Sequence, residues 1–315
     1  MNNQSNHACR SPAKAHYVAV IGAANMDLTG IMTGQAVEGD SNPGQVTTSA
    51  GGVARNIAEN LAHLGTDCEL VTAIADDAWG AQLTQHCKSV NIGMSNCIVA
   101  EGRRTSSYLS MHDNQGELIT AINDMSVLDC INPVALAQRL EILNQSTCWV
   151  VDANLNEAAM AYLFSNAGDI PIWVDPVSTI KAERLLPYLS NIYCLTPNLQ
   201  EAAMLTGSQV ESAEDAPKLA QKLHERGVKK VMITLGEQGA YASDGQTAFL
   251  VVAKSSHVKN VTGCGDAALA ALVHGSVSGV DWQTSCELAM SAAALTANST
   301  QTNTPLLSTL GILSV

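Results

Sequence analysis

The sequence predicts an α/β protein, a three-layer αβα sandwich around a mostly parallel central sheet, with a small separate β-sheet as a lid. Short β-branched apolar runs alternate with helix-length segments along the chain, which is the pattern of repeated βα units. These runs are almost continuously apolar, as is typical of strands that are buried on both faces. Two further stretches alternate around polar turns and predict antiparallel strands outside the main sheet.

The elements of the sandwich follow from apolar spacing. The strands are predicted at Tyr17–Gly22, Glu69–Ile74, Thr147–Asp152, Ile170–Asp175, Asn191–Leu195 and Val231–Leu235. The helices between them are predicted at Val53–Leu64, Trp79–Ser89, Pro133–Asn144, Asn198–Thr206 and Ala213–Arg226. Several helices are followed by a glycine, the residue that most often ends a helix, at Gly65, Gly207 and Gly227.

The lid is predicted from residues 28–48 and 104–122. The first segment has strand-like pieces around Gly, Asp and Pro, and the second alternates around the polar turn His112–Gly116, which is a hairpin signal. Joined into one small sheet over the end of the main sheet, they would exclude water from a reaction. Two surface hairpins without a closing role are the alternative.

Composition and charge exclude several functions. The formal net charge of −13 argues against binding to nucleic acid or to an anionic membrane surface, because phosphates would be repelled over most of the protein. The nine cysteines are scattered without a Cys-x-x-Cys pair, which argues against disulfides or a zinc site. We therefore expect a protein of the reducing cytoplasm.

One domain is predicted over residues 17–315, after a polar tail at residues 1–16 that we expect to be disordered. The tail lacks the apolar core of a signal peptide. No apolar run follows that reaches the roughly 18 residues of a membrane span.

The most informative segment is a glycine-rich turn that leads into a helix with Asp266 in its first turn. Glycine tolerates the angles that let the amides of Gly263, Cys264 and Gly265 point at one spot, and the helix start adds about half a positive charge. Asp266 could take a proton from a hydroxyl while these amides hold the charge of a phosphoryl group in transfer. The segment predicts phosphorylation of a hydroxyl.

A second polar cluster predicts the site of the alcohol. Gly51 and Gly52 open a helix and would let a substrate ring approach the backbone, and Asn56 offers a donor and an acceptor to sugar hydroxyls. Asn25 and Asp27 follow the first strand, at the sheet edge where α/β proteins bind ligands. Taken alone, Asn56 could be a surface residue and Asp27 an ordinary turn or cap residue.

Two segments predict the nucleotide side. Asn198 and Glu201 lie three apart on a new helix, so that Glu201 could bind Mg²⁺ directly or through water, although a plain helix-start pair has the same pattern. Thr234, Gly236 and Gly239 could wall the phosphates and ribose of a nucleotide, or form a simple hairpin turn.

Lys181 is a rare cation in this acidic chain. It could neutralise phosphate or contact substrate, and a solvated lysine is the alternative. The sequence contains no Gly-Lys dipeptide, which excludes a Walker A loop.

The order of these motifs resembles the ribokinase-like (phosphofructokinase B type) family of sugar and nucleoside kinases. The motifs are Asn-x-Asp near the N-terminus, Gly-Gly-x-x-x-Asn on the first helix, Asn-x-x-Glu in mid-chain and Gly-x-Gly-Asp near the end. The similarity covers about residues 17–312. The segments that most resemble members acting on pseudouridine are Asp40–Gly44, Gly51–Ala58, Thr105–Ser110, Ala121–Met125, Asp175–Ser178 and Asn260–Gly263.

The resemblance implies an ATP- and Mg²⁺-dependent kinase that phosphorylates the 5′-hydroxyl of pseudouridine, with Asp266 as the base and Gly263–Gly265 as the anion hole. It further implies a homodimer that pairs through the lid. The remaining residues that it implies are Asn25, Asp27, Gly52 and Asn56 for the ribose, Ser107 and Asp124 for the base, Asn198 and Glu201 for metal and phosphates, and Asn298 for adenine.

The chain departs from the family pattern at two positions. Asn260 stands where the family loop commonly begins with Asp, which removes a carboxylate often associated with a monovalent-cation site and argues against potassium activation. Cys264 replaces the usual Ala and is interpreted as tolerated packing, because phosphoryl transfer needs positioning and charge more than covalent chemistry.

Other functions remain open from the sequence. The same chemistry could act on ribose, another nucleoside or a ketohexose. A protein of a different class, a non-catalytic sensor of a nucleoside or nucleotide on a kinase fold, is also consistent, although the intact Asp266, the paired glycines and Glu201 argue against it.

Overall fold

A computed structural model describes residues 17–253 and 258–310. The predicted disordered tail at residues 1–16 and the end of the predicted domain, residues 311–315, lie outside the described residues. Within the described ranges, no helix has the length and apolar character needed to cross a membrane.

The strands are short, as expected for an α/β protein. They are β1 Val18–Ile21, β2 Asn25–Met32, β3 Gly44–Gly51, β4 Cys68–Val71, β5 Ala73–Ala75, β6 Ile98–Ala100, β7 Ser107–His112, β8 Leu118–Asp124, β9 Cys148–Asp152, β10 Ile172–Asp175, β11 Cys194–Leu195, β12 Lys230–Thr234, β13 Ala240–Ser243 and β14 Ala248–Val251.

The α-helices are α1 Val53–His63, α2 Ala78–Ser89, α3 Pro133–Ala137, α4 Leu140–Gln145, α5 Glu157–Asn166, α6 Thr179–Ala182, α7 Leu199–Thr206, α8 Ala216–Glu225, α9 Cys264–Val277 and α10 Trp282–Ala297. Short 3₁₀ turns lie at Ser126–Cys130, Glu183–Asn191, Ala213–Asp215, Gly236–Gln238 and Pro305–Leu310.

The central sheet has eight strands in the order β14-β13-β12-β11-β10-β9-β1-β4. The pairs from β12 through to β4 are parallel, and β13 and β14 add an antiparallel edge. This confirms the predicted mostly parallel sheet. The parallel strands end together at one edge, which is where ligands of such sheets bind.

Alternate residues of β1 pack into two separate cores, which explains its continuous apolar pattern. Ala19 and Ile21 join the core on one face, with residues of α5, α7 and α8. Val18 and Val20 join the core on the other face, with residues of α1, α9 and α10. Helices therefore cover both faces of the sheet, which confirms the predicted three-layer sandwich.

A separate four-stranded sheet, which we call the lid sheet, has the order β3-β2-β7-β8. Strands β2 and β7 pair in parallel, and the two outer pairs are antiparallel. The two stretches predicted to leave the parallel sheet thus form one small sheet. It extends slightly beyond the predicted segments because β2 already begins at Asn25 and β8 ends at Asp124.

Two predicted elements are divided in the structure. The strand predicted at Glu69–Ile74 is two strands, β4 in the central sheet and β5 in a small parallel pair with β6. The helix predicted at Pro133–Asn144 is interrupted between α3 and α4. Apolar spacing alone did not reveal either break, since neither contains a Gly or Pro at the interruption.

Candidate active site

A cavity of about 1100 Å³ opens at the carboxyl ends of the central strands. Asp175 at the end of β10, Thr196 just after β11 and Thr234 at the end of β12 line one side. The first turn of α9, from Cys264 to Asp266, lines another side. This volume is large enough for a nucleotide.

Asp266 is buried in the wall of this cavity, with 8% of its surface exposed. Its Oδ2 accepts a hydrogen bond of 2.7 Å from the Asn56 side-chain amide on α1. Burial raises the pKa of Asp266 to about 7, and the Asp152 carboxylate adds to the rise, while Asn56 and the Arg55 guanidinium oppose it. A carboxylate with a pKa near neutral is well matched to accept a proton from a hydroxyl.

The turn before α9 places the backbone amides. Gly263 caps the helix with a φ of 83°, a left-handed conformation that favours glycine. A Cβ at this position would also overlap the backbone of Thr302. Of the three predicted amides, that of Cys264 donates to the Val261 carbonyl at 3.3 Å, whereas Gly265 lies in the first turn, where helical N–H groups lack an intrahelical partner.

Cys264 has the properties of an inert thiol. It is partly buried, and burial followed by the nearby Asp266 carboxylate raises its pKa to about 11. A thiol with such a pKa is protonated at neutral pH and is a poor nucleophile.

The polar residues at the start of the lid sheet form one cluster. The Asn25 side-chain amide donates to Asp27 Oδ1 at 2.6 Å, and a Cβ on Gly51 would overlap the Asp27 carboxylate. Gly52 has a φ of 97°, and a Cβ there would overlap the Ala23 backbone. Burial raises the pKa of Asp27, and the Asn25 hydrogen bond and the Arg55 charge oppose the rise.

Asn56 connects this cluster to the cavity, because it lies only four residues after Gly52 and donates a hydrogen bond to Asp266. Asn56 is itself buried, so the surface role considered as an alternative does not hold.

The predicted nucleotide residues line the same cavity: Asn198, Glu201, Thr234, Gly236 and Gly239. Asn198 and Glu201 also form a capping box, in which the Asn198 side chain accepts the Glu201 amide at 2.9 Å and Glu201 Oε2 accepts the Asn198 amide at 2.8 Å. The helix-start pair therefore describes the structure, and a role of Glu201 in binding Mg²⁺ stays a prediction. Burial raises the pKa of Glu201.

Lys181 and Asn298 were also predicted for the site, but they lie outside the described group of residues that lines the cavity. Lys181 Nζ donates to Asn154 Oδ1 at 2.5 Å, and burial lowers the pKa of Lys181. Asn298 is the C-cap of α10, one residue beyond Ala297, which does line the cavity.

Ser107 and Asp124 lie on the other face of the lid sheet from Asp27. Ser107 pairs with both Met26 and Asp124, whereas Asp27 pairs with Tyr108. Because side chains alternate between faces along a strand, Ser107 and Asp124 share the face of the buried Met26. Their contact with a base stays a prediction.

The residues that share the face of Asp27 were not singled out in the sequence. Tyr108 lies opposite Asp27, and Asn123 lies opposite Tyr108. Strand spacing of about 4.8 Å places Asn123 about 10 Å from Asp27 along this row.

Sequence reasoning assigned no role to three other residues near the site. Asp152 is fully buried at the end of β9, and its Oδ2 accepts the backbone amides of Ala23 and Ala54, each at 2.9 Å. It thereby fixes the end of β1 against the start of α1. Asp175 faces the cavity, and burial followed by the Asp266 charge holds its pKa well above the usual range.

Both aspartates carry a signal that could have found them, since each ends a buried parallel strand. Arg55, which is 1% exposed, carries none, because one arginine on an amphipathic helix normally indicates the solvent face.

Comparisons with known proteins agree with this fold. The model of the pfkB family carbohydrate kinases matches residues 15–309. The chain is 36% identical to the pseudouridine kinase of Escherichia coli (strain K12) over 301 residues, covering 95% of this chain and 96% of that protein.

Solved structures superpose closely. A carbohydrate kinase from Agrobacterium tumefaciens has a TM-score of 0.82 and 26% identity, with 92% of this chain and 93% of that chain covered. The Arabidopsis thaliana ribokinase complexed with ribose and ATP has a TM-score of 0.81 and 21% identity, with coverage of 91% and 94%. The protein therefore belongs to the pfkB family of carbohydrate kinases, with the ribokinase-like fold.

Proposed function

We propose that this kinase transfers the terminal phosphoryl group of ATP to the 5′-hydroxyl of pseudouridine, with Asp266 as the general base. The observation that carries the proposal is the position of the Asp266 carboxylate, which lines the nucleotide-sized cavity and bonds to Asn56 of the sugar cluster. The 36% identity to a pseudouridine kinase over nearly the whole chain supports the choice of acceptor.

The acceptor would lie between the polar cluster and Asp266. Asp27 accepts hydrogen bonds from ribose hydroxyls, Asn25 orients the Asp27 carboxylate, and the absence of a Cβ at Gly51 and Gly52 leaves room for that carboxylate and for the Ala23 backbone. Tyr108 and Asn123, on the face of Asp27, would lie along the base, and Asn123 offers a donor and an acceptor to ring N–H and carbonyl groups.

The donor would occupy the cavity with its phosphates at the start of α9. The first-turn amide of Gly265 and the positive end of the helix stabilise the transferring group, while Asp266 removes the hydroxyl proton. The alanines that line the cavity from α10 leave a flat apolar wall suited to adenine.

Mg²⁺ fits this site as an ion held by phosphates and water. The described residues contain no cluster of three or more acidic, His or Cys side chains able to cage a metal. The Glu201 carboxylate lines the cavity and would hold one of the ion's waters, which is how Mg²⁺ is commonly bound. A bound Mg²⁺ would neutralise charge on the phosphates.

A homodimer through the lid sheet is part of this proposal. The face of the sheet opposite Asp27 carries exposed apolar side chains, with Val46 71%, Ile122 64% and Met111 37% exposed. Exposed apolar side chains grouped in this way are typical of an interaction surface. Light scattering of the wild type and of Val46→Asp with Ile122→Asp tests it, since a dimer that survives both changes does not use this face.

The experiment that tests the function is a panel of alcohols with MgATP, in which ADP release is followed and products are identified by mass spectrometry. Pseudouridine, uridine, ribose and fructose are compared at equal concentration. Pseudouridine should give the highest kcat/KM and a 5′-monophosphate. A higher value for ribose or fructose would overturn the acceptor, and nucleoside binding without transfer to any alcohol would favour a sensor.

A further inference from the structure

Arg55 is a charged side chain in the interior. It is 1% exposed and is one of the largest fully buried side chains. It forms an ion pair with Glu59, one turn further along α1. Removing two charges from water is costly, so the contacts that Arg55 makes must compensate for its burial.

These contacts connect three parts of the site. Arg55 Nε donates to the Gly51 carbonyl at 2.9 Å and Nη2 donates to the Ala50 carbonyl at 3.0 Å, both at the end of lid strand β3. Nη2 also donates to the Asn303 side chain at 3.0 Å, near the described C-terminal end. One guanidinium therefore holds the lid sheet, α1 and the segment after α10 together.

The guanidinium also determines which way the Asn56 amide points. It donates to Asn56 Oδ1, and a guanidinium has donors but no acceptor. The Asn56 oxygen must therefore face Arg55, which leaves Nδ2 to face Asp266, where it donates at 2.7 Å. A rotated amide would place its oxygen against the Asp266 carboxylate.

We propose that Arg55 is a positioning residue for phosphoryl transfer, which orients the Asn56 amide toward Asp266 and anchors the end of the lid sheet beside Asp27. This inference rests on the proposed function of Asp266 as the base. Arg55 acts through Asn56 and the backbone of β3, and it does not touch the reacting atoms.

The surrounding charges indicate the direction of its effect on Asp266. Burial and the Asp152 carboxylate from β9 disfavour ionisation of Asp266, while Asn56 and Arg55 from α1 favour it, and the Asp266 charge in turn raises the pKa of Asp175 on β10. On the far side of Arg55, Glu59 stays ionised, because the hydrogen bonds from His63 and His86 together with the Arg55 charge outweigh burial and lower its pKa. Loss of Arg55 should make Asp266 harder to ionise.

The test compares Arg55→Lys and Arg55→Met with Arg139→Met. Arg139 is a matched control, because it also anchors backbone carbonyls, with Nε donating to Asn96 at 2.6 Å and Nη1 to Ala135 at 2.8 Å, outside the cavity lining. We expect Arg55→Met to lower kcat/KM for the acceptor about 10²-fold and to move the rising limb of kcat to higher pH. Arg55→Lys keeps the charge but loses the fork, so its losses are smaller.

Arg139→Met should lower Tm without moving the pH profile or the acceptor KM. Folded Arg55 variants that keep both the wild-type pH profile and the wild-type acceptor KM would overturn the inference. If Arg55→Met does not fold, Arg55→Lys must still lower kcat/KM for the acceptor, by less than the change expected for Arg55→Met, because the fork that holds Asn56 and the β3 carbonyls is lost.

A second readout does not depend on turnover. The ¹⁵N signal of the Asn56 side-chain amide, assigned by its loss in Asn56→Ser, should follow the titration of Asp266 in the wild type, lose that dependence in Arg55→Met and keep part of it in Arg55→Lys, whose ammonium also donates without accepting. If the wild type transfers no phosphate but shows this NMR behaviour, the proposed function fails while the positioning role of Arg55 stands. An amide signal that titrates in Arg55→Met as it does in the wild type contradicts the positioning role itself.

Discussion

The side-chain amide of Asn56 donates a hydrogen bond of 2.7 Å to the carboxylate of Asp266, although the two residues are 210 positions apart in the chain. One belongs to the helix that follows the lid strand β3, and the other to the helix that begins at the nucleotide cavity. This bond brings the predicted sugar site and the predicted phosphate site into one constellation. It also explains why a largely buried carboxylate can still ionise near neutral pH.

The first prediction concerns the base. Asp266→Asn should lower kcat about 10²–10⁴-fold, because the amide cannot accept the hydroxyl proton, while KM for ATP changes little. Steady-state kinetics with pseudouridine and MgATP provide the measurement. Cys264→Ala is the control two positions away and should keep near-normal kcat. Normal turnover by a folded Asp266→Asn enzyme would show that Asp266 is not the general base.

The second prediction is the pH dependence. The base must be ionised to act, and the pKa of Asp266 lies at about 7. We therefore expect kcat to rise with pH through about pH 7 and to level off above it, with the slope of a single ionisation. The residual activity of Asp266→Asn should lack this rise. A wild-type profile that is flat between pH 6 and 8 contradicts the assignment.

The third prediction concerns stability. The pKa of Asp266 is higher in the folded protein, about 7, than its ordinary value of 3.8. The folded state therefore resists ionisation, and stability is lost as pH rises from about 4 to about 7. Asp266→Asn removes this cost and should raise Tm at pH 8 by up to about 8 °C. At pH 4 the wild type and Asp266→Asn should have the same Tm. An equal difference in Tm at pH 4 and pH 8 would indicate a change in packing and not the removal of a costly ionisation.

The fourth prediction concerns the acceptor. Asp27→Asn should raise KM for the nucleoside about 10–100-fold, because a charged acceptor of hydroxyl hydrogen bonds is lost, and leave KM for ATP unchanged. Asp113→Asn at the tip of the β7–β8 hairpin is the matched control, since its carboxylate accepts the Gln115 and Glu117 amides within the exposed turn. If Asp27→Asn and Asp113→Asn change KM for the nucleoside equally, Asp27 has no specific role in acceptor binding.

The fifth prediction concerns the metal. Glu201→Gln should increase the Mg²⁺ concentration needed for half-maximal rate about tenfold or more, because it removes the charge that holds the ion's water. A glutamine can still accept the Asn198 amide, so the capping box and Tm should be preserved. Titration of the rate with Mg²⁺ at fixed ATP measures the effect. An unchanged Mg²⁺ requirement would leave Glu201 as a helix cap alone.

The lid sheet contains both features that the sequence predicts and features that it does not. Alternation around His112–Gly116 correctly predicted a hairpin outside the parallel sheet, and β7 and β8 form it. The residues that reach the side of Asp27 were not predictable, because one step of register transfers every side chain to the other face. The family resemblance implied Ser107 as a contact of the base, whereas its neighbour Tyr108 is the residue that lies opposite Asp27.

The sequence alone determined the architecture of this kinase and the motifs that form its candidate site. Continuous apolar strands, glycine-opened helices and the Gly-x-Gly-Asp turn are local patterns, and backbone sterics and periodicity translate them directly into structure. The tertiary structure alone decided the burial of Arg55, the bond between Asn56 and Asp266, and the burial that raises the pKa of Asp266 with help from the Asp152 carboxylate. These features depend on which distant segments come into contact and on how much water their contact excludes. Local sequence patterns determine neither.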